Sequence, residues 1–507
     1  MRKILKAAIK IGGKVYTGKH HDDAIEKASA DGKDISKVDK EKDGLFLVND
    51  GSLITREQAG KEFGITHSHE IGLKGKYIIV TQDFRLLGIA LLDKENEIIF
   101  AKNPNMDEFD NQPKEFWEGY NLVGENIAQV LDLDDVMARR EEYRDYTFIW
   151  DGNHDVKENE ILRKEGFDVA LGGELPDKLE NNRPFAIETA EKYGLPSPMW
   201  DAFKKKEAGI EYLQKHPDID FVFKPNGGEN YLTTVLHGDD ARGNNEIMQK
   251  IVQNYGIDDF VLQEKKPGIE VNIEIFFQDG KPMSASMNLE VKRILAGDSG
   301  KMCGCAFDVM KDIPLDCELV KMTMEKMIPF YEKENYTGFA DCNVIIGYKK
   351  KDIWFLENCC RIGINAHINY FLNIENKGLC RTLGDLARGK YKPDVNNVWG
   401  ASLTCYAPKQ KKGTPITIPE DMKSKVFLFD GYKENKDDDT ILETGYGDDL
   451  LVICDKDFDI KSAMQKVLNM AERLVIPNLG FRNDGAREDY TSSPFKRYSQ
   501  LKEMGYI

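Results

Sequence analysis

The 507-residue sequence lacks the features that mark membrane or secreted proteins. No stretch approaches the ~18 consecutive apolar residues that a membrane-spanning helix needs, and the mean hydropathy is −0.50. Lysine interrupts the start, Met1 to Lys6, too often for the apolar core of a secretory signal. We therefore expect a cytoplasmic protein without a membrane partner.

The nine cysteines form no C-x-x-C pair, and their number is odd. All of them lie between Cys303 and Cys454, and they include Cys303-x-Cys305 and Cys359-Cys360. This pattern favours neither a disulfide framework nor a common zinc site. We expect reduced thiols.

Positive charge is in deficit, because 70 Lys and Arg stand against 87 Asp and Glu and give a net charge of −17. Such a surface repels nucleic acid over most of its area, so we expect no nucleic-acid partner. The charge balance is nevertheless compatible with a local basic site for phosphates. Apolar residues (41%) and aromatic residues (10%) are numerous enough for sizeable cores, which excludes wholesale disorder.

The chain is long enough for about three domains at roughly 100–200 residues each, and its patterning predicts α/β folds. Short apolar strands, such as Tyr77–Val80 and Tyr146–Trp150, alternate with helical stretches, which favours an open parallel α/β sheet. The first residues instead show a hairpin pattern around Gly12-Gly13, typical of a small accessory module. The predicted segments are 1–73 (accessory), 76–180 (open α/β), 181–260, 261–385 and 386–507.

One loop has the composition of a flap over phosphates. The strand pattern Phe221–Lys224 precedes Pro225-Asn226-Gly227-Gly228-Glu229-Asn230, and a second strand pattern, Tyr231–Val235, follows it. Backbone N–H groups of a glycine-bearing loop between strands can close over phosphate oxygens. We expect Gly227 and Gly228 to bind nucleotide phosphates.

Four further segments follow in an order that fits metal-dependent use of a nucleoside triphosphate. They are Phe260–Val271, Lys292–Gly300, Tyr336–Ile346 and Ile353–Gly363. Magnesium prefers hard oxygen ligands, which Glu357 and Asn343 can supply from strand positions. Lys224, Lys292 and Arg293 can offset phosphate charge.

This order resembles the ATP-grasp fold, and within it the phosphoribosylamine–glycine ligase family. The motifs that carry the resemblance are the Lys224 strand, the glycine loop, the Gln263-Glu264 hinge, Gly268-x-Glu270 and Leu356-Glu357. Lys292-Arg293 before Gly297-Asp298-Ser299-Gly300 resembles the basic pair and D-x-G turn of the family. A helical pattern over Val467–Val475 and the stretch Gly480–Ala486 resemble its carboxy-terminal helix and last strand.

The resemblance implies a set of site residues. Arg183 and Lys224 fall on the two ATP-contacting lysine positions, and Gln263 with Glu264 fall on the adenine hinge. Glu270 falls on the acid expected to hold the ribose. The other implied roles are metal binding by Glu357, assisted by Asn343, and catalysis by the cations Lys292, Arg293 and Arg361.

Several positions depart from the family pattern. Cys359 replaces the Asn that follows the metal-binding Glu by two residues, and a thiol is a poor magnesium ligand. The adjacent Asn358 would face the other side of a regular strand. Thr81–Gly88 stands where the family has a Gly-Gly-Arg-Glu-His loop, and Ile364-Asn365-Ala366 replaces Asp-Pro-Glu after R-x-G.

The resemblance implies a ligase that uses ATP with Mg²⁺ or Mn²⁺ to join a carboxylate such as glycine to a phosphorylated amine, a step of purine biosynthesis. The altered segments leave open a divergent ligase with another amine or amino acid. Cys359 leaves open a catalytically silent nucleotide-binding protein. A carboxylase lacks support, because no biotin-accepting domain is visible.

Overall fold

The computed structural model describes most of the chain. The described residues are 4–18, 21–35, 38, 43–48, 51–55, 58–59, 75–103, 112–226, 236–237, 248–249, 252–253, 258–349, 352–407, 412–436, 439–447, 449–487, 490 and 492–507. They divide into two compact units, of which the first comprises Met1–Gly75 with Glu95–Glu97 and the second the remaining residues.

The first unit contains a four-stranded antiparallel sheet in the order β2-β1-β3-β4. Gly12 and Gly13 form the turn between β1 and β2 with φ angles of 57° and 82°, values that glycine adopts without steric cost. The predicted hairpin is therefore confirmed. Its elements are β1 (Ile4–Ile11), β2 (Lys14–Gly18), the helix His21–Ala30, β3 (Gly44–Val48) and β4 (Leu53–Thr55).

The second unit begins with a five-stranded sheet in the order β7-β6-β5-β8-β9. β5 pairs with β8, β8 with β9 and β6 with β7 in parallel, which confirms the predicted open parallel sheet. Its strands are β5 (Lys76–Thr81), β6 (Glu97–Lys102), β7 (Gln129–Asp132), β8 (Thr147–Trp150) and β9 (Asp168–Ala170). Its helices are Gly88–Leu92, Lys114–Tyr120, Leu133–Ala138, Val156–Lys164 and Glu174–Asn181, with a 3₁₀ turn at Arg140–Tyr143.

A smaller antiparallel sheet follows, in the order β10-β13-β11-β12. Its strands are β10 (Trp200–Phe203), β11 (Phe221–Pro225), β12 (Leu236–His237) and β13 (Phe260–Glu264), and its helices are Arg183–Lys192 and Lys206–Lys215. The candidate flap glycines Gly227 and Gly228, and the predicted strand Tyr231–Val235, lie outside the described residues.

A nine-stranded sheet forms the centre of the unit, in the order β18-β17-β14-β15-β16-β19-β23-β20, with β24 paired to β19. Its strands and the separate hairpin β21–β22 are β14 (Ile269–Gln278), β15 (Lys281–Leu295), β16 (Ser299–Ile313), β17 (Gly338–Ile346), β18 (Ile353–Cys359), β19 (Trp399–Tyr406), β20 (Val426–Leu428), β21 (Tyr432–Lys436), β22 (Asp439–Glu443), β23 (Asp449–Asp457) and β24 (Gly480–Phe481).

Short helices connect these strands. The α-helices are Glu318–Met322, Ile328–Lys333, Ala366–Asn369, Leu379–Ala387, Ile460–Ala471 and Pro494–Glu503; 3₁₀ turns lie at Met324–Met327 and Glu420–Met422, and a π-helical turn at Tyr370–Ile374. The sequence prediction of a helix over Val467–Val475 was wrong in its bounds. Asp459 fixes an earlier start, because its side chain accepts the N–H of Ser462 at 2.8 Å.

The central sheet buries polar side chains on one face. Along β14, Glu270, Asn272 and Glu274 alternate with apolar residues, so the three polar side chains share a face. Asn272 and Glu274 are buried, and Glu274 Oε1 accepts from Asn288 at 2.6 Å. A buried polar face of this kind needs internal partners, since no water compensates for the lost hydration.

No helix in the part of the chain that the structure describes is both long and apolar enough to cross a membrane.

Phe276 in β14 tests the contribution of this sheet to stability. Its ring is 1% exposed and packs on Tyr370, with 5.1 Å between ring centroids. We expect Phe276→Ala to lower the free energy of unfolding by roughly 3–5 kcal/mol in urea denaturation, because it leaves a cavity. The control Phe458→Ala removes an 85% exposed ring and should change the free energy of unfolding by less than about 0.5 kcal/mol. Equal losses would contradict the assignment of this core.

Candidate nucleotide and metal site

The central sheet and the small sheet bring charged residues together at strand β18. Register pairs Glu357 of β18 with Asn343 of β17, so both side chains lie on one face of the sheet. Asn343 also pairs with Asn272 of β14, next to Glu270 along that strand's polar face. The arrangement follows from the alternation that the sequence shows in these strands.

Glu357 is the carboxylate on which three cations converge. Arg183 Nη1 lies 3.0 Å from Glu357 Oε2, and Lys292 Nζ lies 3.8 Å from Oε1. Burial alone would raise the pKa of Glu357, but the charges of Lys292, Arg183 and Lys224 outweigh it and hold the pKa far below its usual range. Glu357 is therefore ionised at every physiological pH.

Lys224 reaches the same place from β11 of the small sheet. It is 4% exposed, and its Nζ donates to Leu356 O of β18 at 3.0 Å. Burial, with the neighbouring cations Arg183 and Lys292, lowers the pKa of Lys224 from 10.5 to about 8, although Glu357 opposes this change. The ammonium is thus held close to strand β18, charged at neutral pH but near its titration range.

Arg183 links three elements. It begins the helix Arg183–Lys192, and its Nε donates to Pro225 O at 2.8 Å at the end of β11. Its backbone N–H donates to Asn226 Oδ1 at 2.9 Å. Since Nη1 pairs with Glu357, the guanidinium lies between the loop that follows β11 and the strand β18.

A second carboxylate, Glu270, is paired with Lys292 and Asn343. Lys292 Nζ lies 2.8 Å from Glu270 Oε1, and Asn343 Nδ2 donates to the same oxygen at 2.9 Å. Burial opposes ionisation, but Lys292 and Asn343 together lower the pKa of Glu270 to about 2. The same carboxylates raise the pKa of Lys292 well above its usual value despite burial.

The predicted hinge residues occupy the expected strand, β13, but their donors are engaged. Gln263 is 1% exposed and its Nε2 donates to Ser197 Oγ at 2.7 Å. The N–H of Glu264 donates to Met199 O at 2.7 Å, and the Glu264 side chain pairs with Lys266. An adenine edge would therefore have to use other groups of this segment.

Two of the three predicted catalytic cations lie apart from the Glu357 contacts. Arg293 Nη1 of β15 donates to Gly300 O of β16 at 2.8 Å, next to the turn between these strands. Arg361 Nε donates to Glu180 Oε1 at 3.0 Å. Lys292 is the predicted catalytic residue whose side chain reaches both Glu270 and Glu357.

Of the groups near Glu357, the oxygens of Glu357 and Asn343 suit a hard divalent ion, whereas the sulfur of Cys359 does not. Asn343 Oδ1 is buried and has no hydrogen-bond partner among the described residues, so it remains available as a ligand. Cys359 shares the face of Glu357, but burial raises the pKa of its thiol well above the usual value, which leaves a neutral, soft sulfur. Asn358 pairs with Cys342 on the opposite face, as expected. Glu357 and Asn343 therefore fit a Mg²⁺ that takes its remaining ligands from phosphates and water.

Sequence reasoning missed two residues of this site. Glu290 lies two positions before Lys292 on β15, and its Oε2 is 3.9 Å from Lys292 Nζ, so the strand alternation was a usable signal. Arg497 comes from the helix Pro494–Glu503 and donates to the carbonyls of Glu270 at 3.1 Å and Glu290 at 2.6 Å. Nothing in the local sequence marks Arg497.

The D-x-G turn is fixed by the carboxy-terminal segment. Arg482 Nη2 lies 3.0 Å from Asp298 Oδ1, and Tyr490 donates to the same oxygen. The N–H of Gly297 donates to Asp484 Oδ2 at 2.7 Å. The turn is therefore joined to the carboxy-terminal segment by an ion pair and by hydrogen bonds, a contact that the sequence analysis did not predict.

Charged residues also collect at the carboxyl ends of β5 and β8. This strand-end cluster consists of Asp83, Arg85, Asp151, His154 and Asp155. The Arg85 side chain donates three hydrogen bonds to Asp83, of 2.6, 3.0 and 3.1 Å. His154 lies between Asp151 at 3.0 Å and Asp155 at 2.7 Å. Ligands of open parallel sheets bind at such strand ends.

The strand-end cluster is joined to the R-x-G segment. Arg85 Nη1 donates to Ile362 O at 3.2 Å, and Arg361 contacts Glu180 in the helix Glu174–Asn181. The cluster therefore adjoins the segment that follows Glu357.

Comparisons with known proteins place this geometry in context. No profile of a known protein family matches the chain. Phosphoribosylamine–glycine ligase of Clostridium acetobutylicum is 22% identical over 346 residues, 64% of this chain and 79% of that protein. The human trifunctional purine biosynthetic protein adenosine-3 is 26% identical over 200 residues; the match spans 37% of this chain but only 19% of the human protein.

Solved structures are similar over most of the chain. Phosphoribosylamine–glycine ligase from Thermotoga maritima aligns with a TM-score of 0.57 at 19% identity, over 81% of this chain and 99% of that one. A biotin carboxylase from Campylobacter jejuni, solved with β,γ-ATP, aligns with a TM-score of 0.56 at 12% identity over 83% of this chain and 98% of that one.

These likenesses establish the class of fold: the chain has the ATP-grasp fold, preceded by an open parallel α/β sheet. Within that class, it resembles phosphoribosylamine–glycine ligases in both sequence and structure, as a divergent relative. The resemblance drawn from the sequence is therefore confirmed.

His154 generates a testable pH dependence. Burial would lower its pKa, but Asp151 and Asp155 raise it from 6.5 to about 9, and the side chain is only 10% exposed. The folded state therefore holds a proton that the unfolded state loses above pH 6.5. This contribution is complete below pH 6.5 and disappears as the pH rises through about 9.

We expect wild type to exceed His154→Gln in unfolding free energy by up to roughly 3 kcal/mol at pH 6, with the gap narrowing by pH 9. Urea denaturation at several pH values measures this gap. His216→Gln is the control, because that ring packs against Tyr212 and Phe221, outside the strand-end cluster. A gap that stays constant between pH 6 and 9 would contradict the assignment of a charged His154.

Proposed function

We propose that the protein is an ATP-dependent ligase that joins a carboxylate to an amine in the cytoplasm. One observation carries the proposal: Arg183, Lys224 and Lys292, from three separate elements, converge on Glu357. Beside it lies Asn343 Oδ1, which has no hydrogen-bond partner among the residues that the structure describes. Cations around a strand-borne carboxylate and amide are the groups that a metal-chelated triphosphate requires.

The proposed reaction has two steps. An oxygen of the carboxylate attacks the γ-phosphorus of ATP, the bond to the bridging β,γ-oxygen breaks, and ADP leaves with the electron pair. The amine then attacks the carbonyl carbon of the acyl phosphate, the carbon–oxygen bond to phosphate breaks, and the amine loses a proton. The products are an amide, ADP and phosphate.

The residues near Glu357 divide the work of this reaction. Lys224 and Arg183 bind and orient the phosphates, and Lys292 offsets the charge that develops during transfer. Glu357 and Asn343 would hold Mg²⁺ or Mn²⁺, which neutralises phosphate charge when bound. Gly227 and Gly228 are proposed to cover the phosphates, and Glu270 would hold the ribose. Gln263 and Glu264 are proposed to contact adenine through groups other than the Gln263 amide N–H and the Glu264 backbone N–H, which already have acceptors.

The relatives supply the first substrates to test, which are glycine and phosphoribosylamine. The proteins similar to this chain are named as phosphoribosylamine–glycine ligases, and a matching role here would belong to purine biosynthesis. In this proposal, Arg293 and Arg361 bind the acyl phosphate or its precursors.

A specific observation favours a second candidate, a ligase for another amine. The strand-end cluster holds three carboxylates against the two cations Arg85 and His154. An excess of negative charge favours a cationic amine over a phosphorylated one. The family loop expected at this position is replaced by Thr81–Gly88.

Phosphate release separates these candidates. The full chain is incubated with ATP and Mg²⁺, with and without glycine plus phosphoribosylamine, and then with other carboxylate and amine pairs. Turnover that requires glycine supports the first candidate, and turnover with another amine supports the second. Tight ADP binding without turnover under any condition would identify a silent nucleotide-binding protein.

Lys224 gives the first test of the nucleotide site. Lys224→Ala removes a phosphate-neutralising charge and should weaken ATP binding by at least roughly tenfold in calorimetric titration. Lys215→Ala is the control, because Lys215 is 65% exposed and pairs with Glu211 on a helix surface. Unchanged affinity in Lys224→Ala would contradict the site.

The same residue predicts how binding responds to pH. In the protein without nucleotide, the pKa of Lys224 is about 8, so a growing fraction of this side chain is neutral above pH 8. Lys224 must then take up a proton when it binds phosphate. Wild-type ATP affinity should fall as the pH rises through 8, whereas Lys224→Arg should stay level because arginine remains charged.

Glu357 gives the second test. Glu357→Gln removes the charge that we assign to metal binding and should lower Mg²⁺-dependent turnover by about 100-fold or more. Glu211→Gln is the comparison, since its carboxylate is 65% exposed and pairs with Lys215 on a helix surface. Equal turnover of wild type and Glu357→Gln across a magnesium titration would show that the metal binds elsewhere.

A further inference from the structure

Lys292 lies among three carboxylates that come from three strands. Its Nζ is 2.8 Å from Glu270 Oε1 of β14, 3.9 Å from Glu290 Oε2 of β15 and 3.8 Å from Glu357 Oε1 of β18. A lysine ammonium is a compact charge with three donors, so it can balance several acids at once. Its side chain is 21% exposed, which limits screening by water.

Asn343 adds a neutral oxygen donor to this group. Its Nδ2 donates to Glu270 Oε1, the oxygen that Lys292 also contacts, and its Oδ1 is buried without a partner among the described residues. The combination of Glu270, Glu290, Glu357 and Asn343 is a set of hard oxygens around one positive charge. We call these four residues with Lys292 the lysine–carboxylate cluster.

The described residues nevertheless contain no group of three or more His, Cys, Asp or Glu side chains that could hold a metal ion. The acids of the cluster are already balanced by the charge of Lys292. A divalent ion that approached these oxygens would be repelled by the Lys292 ammonium. The charge balance that stabilises the cluster thus also disfavours metal binding to it.

We propose that the Lys292 ammonium balances the acids of the lysine–carboxylate cluster and keeps divalent ions from binding there. Divalent ions bind only when a polyphosphate is present and its oxygens pair with that ammonium. This inference rests on the proposed nucleotide site. It makes metal binding conditional on nucleotide, because phosphate oxygens draw Lys292 away from the acids and provide further ligands. Lys292 therefore acts as a specificity-determining residue for the metal–nucleotide complex over free metal.

Electron paramagnetic resonance titration of Mn²⁺ into the full chain without nucleotide tests this inference. Lys292→Met keeps the length of the side chain and removes its charge, so we expect it to bind one Mn²⁺ at least roughly tenfold more tightly than wild type. Lys425→Met is the matched control, since Lys425 pairs at 2.7 Å with the largely buried Asp455 outside the cluster. The control should match wild type.

Two further variants locate the ion and guard against misfolding. Adding Glu357→Gln to Lys292→Met should abolish the gain if the ion binds in the cluster. Lys292→Gln should show the same gain, and it replaces Lys292→Met if circular dichroism shows that the latter does not fold. The inference is overturned if wild type already binds Mn²⁺ as tightly as the folded variant, or if Lys425→Met gains equally.

A parallel calorimetric titration with ADP separates this inference from the proposed function. If ADP binds but removal of the Lys292 charge does not strengthen Mn²⁺ binding, the inference fails and the nucleotide site stands. If ADP does not bind, the proposed nucleotide site fails whatever the Mn²⁺ titration shows.

Discussion

The structure around β18 depends on the mutual neutralisation of charges that are removed from water. Glu270 and Glu357 are partly buried, and they remain ionised because Lys292, Arg183 and Lys224 lie nearby. Removing one member of a buried ion pair leaves an uncompensated charge, which costs far more than the pair itself contributes. The helix, the small sheet and the central sheet are therefore tied together electrostatically at one point.

The fold was predictable wherever side-chain periodicity reflects burial. The parallel strands β5 and β8 read as short apolar runs, and β17 reads as an alternation of polar and apolar residues, so the existence of these strands followed from local sequence. Glu357 and Asn343 were predicted from their strand positions, and their register pairing places them side by side. The resemblance to ATP-grasp enzymes assigned roles to the residues on these strands, which periodicity alone does not do. The order of the strands in the sheet came from the structure.

Long-range contacts account for what the sequence did not predict. Arg497 reaches the carbonyls of Glu270 and Glu290 from more than 200 positions away along the chain, and no local pattern indicates such a contact. Likewise, the engaged N–H groups at the hinge depend on how β13 meets the segment around Met199. These contacts arise from packing between elements that are far apart along the chain, so no local stretch of the sequence indicates them.

The internal ion pairs also set the terms on which a nucleotide would bind. To contact Arg183 and Lys292, phosphate oxygens must displace the carboxylates of Glu357 and Glu270 from them. Part of the attraction between the phosphates and these cations is therefore offset by the internal ion pairs that are lost. In return, the cations are held in position before binding, which reduces the side-chain entropy lost on association. A site of this kind favours a highly charged ligand over a singly charged anion, because only the former replaces several internal pairs at once. This selectivity follows from the charge balance of the site itself and does not depend on which carboxylate and amine the proposed reaction uses.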